Sequence, residues 1–141
     1  MMPKFLTAMA VATVTTLGSS AAFAQDGGFG LELNNAREAE NGCRMTYVAR
    51  NGTGTDLSAI SFEVAVFDAE DIVSRLLILE FGALTNGRTK VVQFDLADQP
   101  CEGISRLLVN SVSECSAAEG EAPDCMAVLN ASSRTDIGFG L

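Results

Sequence analysis

No histidine occurs among the 141 residues of this chain, and that absence removes most hydrolytic chemistry. A Ser-His-Asp triad or a Cys-His pair cannot be assembled without an imidazole base. Tryptophan is missing too, and Tyr47 is the one tyrosine, so an aromatic platform for sugars has no material. There is no Cys-x-x-Cys, which with the missing histidine argues against a zinc site. Beyond residue 24 the methionines are Met45 and Met126, too few for a copper site. Nothing reads as a cofactor motif, and no cofactor is expected. Basic residues are scarce: nine Lys and Arg stand against eighteen Asp and Glu. Such an acidic surface repels phosphates and anionic headgroups, so nucleic acid and lipid surfaces are not expected partners.

What is present begins with a leader. Lys4 supplies a positive start, Phe5 to Leu17 an apolar run, and Gly18-Ser19-Ser20 a polar break. Ala22-Phe23-Ala24 fits the small-x-small cleavage rule, so residues 1–24 read as a signal peptide cut after Ala24. The apolar run is too short for a stable transmembrane helix, and no second run of membrane length follows. No stable membrane insertion is expected once the leader is removed. The lack of an Arg pair ahead of the run points to general secretion rather than twin-arginine export.

Export gives the cysteines their reading. Cys43, Cys101, Cys115 and Cys125 all follow the leader, and an even count in a small exported domain reads as two disulfides.

Residues 25–141 read as one domain. Gln25 to Gly30 is a Gly-rich lead-in, Leu31 to Leu33 a first short strand, and polar Asn34 to Asn41 a loop with nothing to bury. Cys43 to Arg50 alternates, with Cys43, Met45, Tyr47 and Ala49 on one face. Asn51 to Asp56 is dense in turn residues. Leu57 to Leu84 forms a long apolar hairpin around Asp68-Ala69-Glu70-Asp71. In its first strand Ile60, Phe62, Val64 and Val66 share a face; in its second, the run Leu76 to Leu79 reads as strand rather than short helix, either buried on both faces or covering a neighbour. An Asn86-Gly87 turn leads to an alternating strand, Thr89 to Leu96. Ile104 to Cys115 and Cys125 to Ala131 complete about seven strands, and a polar tail follows. The pattern predicts an all-β immunoglobulin-like β-sandwich, with a small closed barrel as the alternative.

In such a sandwich the second and sixth strands run the same way in opposite sheets. Cys43 opens the second and Cys101 precedes the sixth, so Cys43–Cys101 suits the geometry. Cys115–Cys125 would then staple the last loop. Four cysteines allow three pairings, and sequence does not exclude the other two.

Several residues invite a functional reading. Lys90, the one lysine after the leader, could form a Ser–Lys dyad if buried, but its alternating strand predicts an exposed edge position. Asp68, Glu70 and Asp71, or Glu119, Glu121 and Asp124, could do acid–base work or hold Ca2+. Turn chemistry and solubility explain both groups as well. Asn51-Gly52-Thr53 and Asn130-Ala131-Ser132 match the glycosylation sequon, the first better explained as a turn. Gly28-Phe29-Gly30-Leu31 recurs as Gly138-Phe139-Gly140-Leu141. The two copies would either pair at a sheet edge, or leave the second to be read by a partner.

The passage Asn51 to Ser58 (NGTGTDLS), followed by an apolar strand ending Phe67 to Asp71 (FDAED), resembles the immunoglobulin-like modules of bacterial exported proteins over about Cys43 to Leu96. The whole exported part is similar to a family of small alphaproteobacterial exported proteins, some labelled as carrying a twin-arginine signal. Leu31 to Ala36 (LELNNA), Asn41 to Arg44 (NGCR) and Ser132 to Asp136 (SSRTD) carry that likeness. The missing Arg pair departs from the label. The resemblance implies a Gram-negative periplasm and brings no functional residues with it. The expected role is a non-catalytic interaction or structural module, holding a protein partner in the cell envelope through a sheet edge or polar loops. A small-ligand or Ca2+ binder using the acidic loops is the alternative.

Overall fold

The computed structural model describes residues 27–141, so the leader and the expected cleavage after Ala24 lie outside the described residues. Eight strands follow one another: β1 (Phe29–Ala39), β2 (Gly42–Asn51), β3 (Leu57–Asp68), β4 (Val73–Leu84), β5 (Thr89–Ala97), β6 (Ile104–Ala117), β7 (Leu129–Ser133) and β8 (Gly138–Gly140). They form two four-stranded sheets, β5-β2-β1-β7 and β4-β3-β6-β8. This is the immunoglobulin-like β-sandwich that the alternation predicts, with one strand more than expected.

The core comes from that alternation. Cys43, Met45, Tyr47 and Ala49 of β2 face Ile60, Phe62, Val64 and Val66 of β3, and all eight are buried. Both strands lie inside their sheets, so every second residue is pressed between the two layers. At the centre Tyr47 meets Phe81, Phe94 and Phe139 edge-on, at centroid distances of 5.4 to 6.0 Å. Edge-on contact places the positive rim of one ring against the negative face of the next.

Five expectations are corrected. Asn34 to Ala39 is strand rather than loop: β1 bulges at Asn34 and then pairs Ala36 with Met45 and Glu38 with Cys43. The backbone ladder to β2 orders this stretch, not burial of its side chains. In the Gly-rich lead-in, Phe29 is fully buried against Phe62. Gly28 approaches Val128 so closely that a Cβ there would lie 2.4 Å from the Val128 carbonyl oxygen. Cys125 lies in a turn, and the strand begins only at Leu129, parallel to β1. The tail is not free: β8 pairs parallel with β6 and carries Phe139 into the core. The two Gly-Phe-Gly copies thus lie in different sheets and do not pair; each inserts its phenylalanine between the layers. Finally, the Leu76 to Leu79 run is covered on one face alone. Leu77 and Leu79 point inward, while Leu76 and Ile78 keep 57% and 44% of their surface exposed. Among the described residues, nothing lies over that side of β4.

The cysteines pair as Cys43–Cys101 and Cys115–Cys125. The first ties β2 to the short 3-10 turn Cys101–Gly103 that leads into β6, joining the sheets at one pole. The second fastens the end of β6 to the turn before β7 at the other pole. Two disulfides belong to an oxidising, extracytoplasmic environment. Among the described residues, no helix is long and apolar enough to cross a membrane.

Candidate functional site

The residues singled out from sequence fall into separate places. Asp68 is occupied by its own turn, where Oδ1 accepts hydrogen bonds from the amides of Glu70 and Ile72 at 3.0 and 2.9 Å. Asp71 pairs with Arg106 at 2.9 Å, and the Arg106 guanidinium lies 3.8 Å over the Phe67 ring. Glu70 is exposed. In the second acidic loop Asp124 accepts a hydrogen bond from the Ala127 amide, ordering the turn after it. Glu119 and Glu121 line an open hollow of about 670 Å3 with Asp56 and Asn86. Among the described residues, no three carboxylates or cysteines converge on one point as a metal would need.

Asn51 is a turn organiser. It is fully buried, its amide donates to the carbonyls of Thr55 and Leu84, and its Oδ1 accepts from the Thr53 amide and hydroxyl. The other sequon asparagine, Asn130, is exposed on β7. Met45 is in the core, and Met126 lies in the turn before β7. Tyr47 is sealed in, and burial pushes its phenol well above the ordinary tyrosine range. Its hydroxyl reaches the Met45 sulfur at 3.8 Å, a weak acceptor.

Lys90 has a role that alternation did not suggest. It stands on edge strand β5, but its Nζ crosses to the other sheet and donates to the carbonyls of Phe81 and Ala83 at 2.7 and 2.8 Å. Those carbonyls belong to β4, the edge of its own sheet. A lysine spent on bare edge carbonyls blocks strand addition there. At the opposite side of the sandwich β7 and β8 are also edges, and the segment linking them buries Ile137.

Between β4 and β5 the sandwich is otherwise open. Phe81 and Phe94 meet at 5.6 Å, and beyond them the two edges enclose a groove of about 360 Å3. Met45, Leu77, Leu79, Phe94 and Leu96 line it, with Arg75 and Asp95 also at its wall. Leu76 and Ile78 stand on the outer side of the same stretch of β4. Fully burying a leucine or isoleucine is worth about 1.5–3 kcal/mol, and these two forgo roughly half of it in the single chain. Unpaired backbone groups, outward apolar side chains and an apolar groove thus coincide on one short piece of edge. Such a piece can accept another strand, the backbone supplying affinity and the side chains selectivity. Sequence reasoning missed it because it took the apolar run for covered core; the missing signal was any later segment able to cover β4. No family model, curated protein or solved structure matches the chain.

Proposed function

We propose that this chain is a non-catalytic periplasmic interaction module that holds a protein partner of the cell envelope through the edge of β4. The observation that carries the reading is the stretch from Arg75 to Glu80, apolar on both sides from Leu76 to Leu79 and, among the described residues, an unpaired sheet edge. The leader, the two disulfides and the resemblance to small alphaproteobacterial exported proteins support the periplasm. The test is a photo-crosslinking residue at Leu76, compared in living cells with the same residue at Gln93 on the outer face of the other sheet. Discrete adducts from position 76 and none from 93 are expected; equal labelling from both, or none from either, removes the reading.

The competing reading, a small-ligand or Ca2+ binder, rests on the open hollow between Asp56, Glu119 and Glu121. A ligand present at a hundred times its dissociation constant adds about 2.7 kcal/mol of stability. A melting temperature that rises with millimolar Ca2+ but not Mg2+ would favour that reading over the edge.

A further inference from the structure

We infer that the occupant of this edge is a second copy of the same chain, paired antiparallel about a two-fold axis at Leu77. The inference rests on the reading of β4 as the interaction edge, and names the partner. It starts from how β4 is guarded. Its register against β3 slips three times, and two of the slips leave Ser74 and Phe81 as bulged residues with Arg75 to Glu80 regular between them. The Ser74 hydroxyl donates to the Val66 carbonyl, and Lys90 occupies the carbonyls of Phe81 and Ala83. Bulges and lysines are the devices that keep sheet edges from pairing. Here they protect both ends of the strand and leave the middle bare.

The bare middle is self-complementary. Two copies related by an axis perpendicular to the sheet keep outward side chains opposite outward ones, so only alternate registers are allowed. With the axis at Leu77, Leu76 falls opposite Ile78 of the second copy, and Ile78 opposite its Leu76. Glu80 then meets Ser74, Arg75 meets Leu79, and no like charges face each other. Moving the axis to Ile78 sets Leu76 against Glu80, while moving it to Leu76 sets Ile78 against the bulged Ser74. Charge favours the same place. The chain carries a net charge of −9, yet this stretch holds one arginine and one glutamate, so two acidic copies approach here without a local excess of negative charge. A six-residue edge alone falls short of the roughly 1,000 Å2 expected of a lasting interface, so the dimer is concentration-dependent.

The test is sedimentation equilibrium of the oxidised chain over a wide concentration range, beside Leu76→Lys/Ile78→Lys. Both positions point to solvent, so the variant keeps its fold, verified by an unchanged melting temperature. Wild type is expected to rise toward twice the monomer mass while the variant stays monomeric. A crosslinker at Leu76 should attach near Ile78 of the second copy. A dimer that survives the double substitution, or adducts far from β4, overturns the inference. A chain monomeric at every concentration also overturns it, and crosslinking from Leu76 in cells then decides whether the edge reading stands with a different partner or falls too.

Discussion

On the outer face of the β5-β2-β1-β7 sheet, Arg44 grips Asp95 with two hydrogen bonds of 2.6 and 2.8 Å, Gln93 bonds Thr46 across strands, and Arg134 reaches Glu32. On the outer face of the β4-β3-β6-β8 sheet, Val73, Leu76 and Ile78 stand in solvent, and Arg106 with Asp71 closes off one corner. The inner faces of both sheets are packed alike. Burial therefore dictates the inner residues of each layer, and it leaves the outer ones free to differ. The first face is dressed mainly for water, with Val91 exposed beside its polar pairs; the other lines up Val73, Leu76 and Ile78 along one edge strand. That difference is the ground for proposing the β4 edge as the working surface.

The comparison makes the shared interior the seat of stability, and the largest effect should come from there. Phe62 touches Phe29 of one sheet and Phe81 of its own, so Phe62→Ala should cost about 3–5 kcal/mol in denaturant unfolding. If Leu76→Lys/Ile78→Lys costs as much, the outer face is structural and the contrast collapses. Those outward substitutions should stay within about 0.5 kcal/mol.

Next come the ties at the poles. The chain-entropy model assigns about 4 kcal/mol to Cys43–Cys101 and about 2.5–3 kcal/mol to Cys115–Cys125, against a net stability of about 5–15 kcal/mol for a domain of this size. Selective loss of the first bridge should therefore lower the melting temperature more than loss of the second. Equal losses would show that joining the two sheets matters no more than closing one loop.

The smallest effect belongs to the polar face. The hydrogen bond from Arg44 holds the Asp95 carboxyl below its ordinary range, and Asn34, helped by Arg134, does the same for Glu32. A carboxylate with a lowered folded pKa contributes stability above its unfolded value, about 4, and loses it as pH falls through the folded value. Arg44→Ala should thus lower stability slightly above about pH 4, with the difference from wild type vanishing as pH falls through the folded value of Asp95. The double substitution on β4 should not alter that pH dependence, which urea melts at pH 2.5, 4 and 7 would check.

How much of this could be read beforehand depends on how local the cause is. The hairpin around Asp68 and the inward faces of β2 and β3 follow from alternation within short stretches, while the cysteine pairing was one of three that the sequence allowed. The strand character of Asn34 to Ala39 does not, because its order comes from a partner strand rather than from apolar residues of its own. Phe139 sat in what looked like a polar tail, since a three-residue strand leaves no periodicity. The run Leu76 to Leu79 was visible as apolar, but an apolar residue looks the same in sequence whether its cover is another part of the chain or another molecule. That a sheet edge would matter was an expectation; which edge, and the role of Lys90 in closing half of it, needed coordinates.

The pairing of β1 with β7 sets an order of events. Phe29 lies beside Leu129, and nearly the whole domain separates them along the chain. One side of β1 therefore waits, unsatisfied, until β7 arrives, and the ring of Phe139 reaches the aromatic centre later still. Contacts that close so late cost loop entropy before they return anything, which places the domain among slow folders on the millisecond-to-second scale. During that interval the β4 edge is already made by its local hairpin. The edge proposed to meet a partner is thus on offer before the molecule behind it is finished.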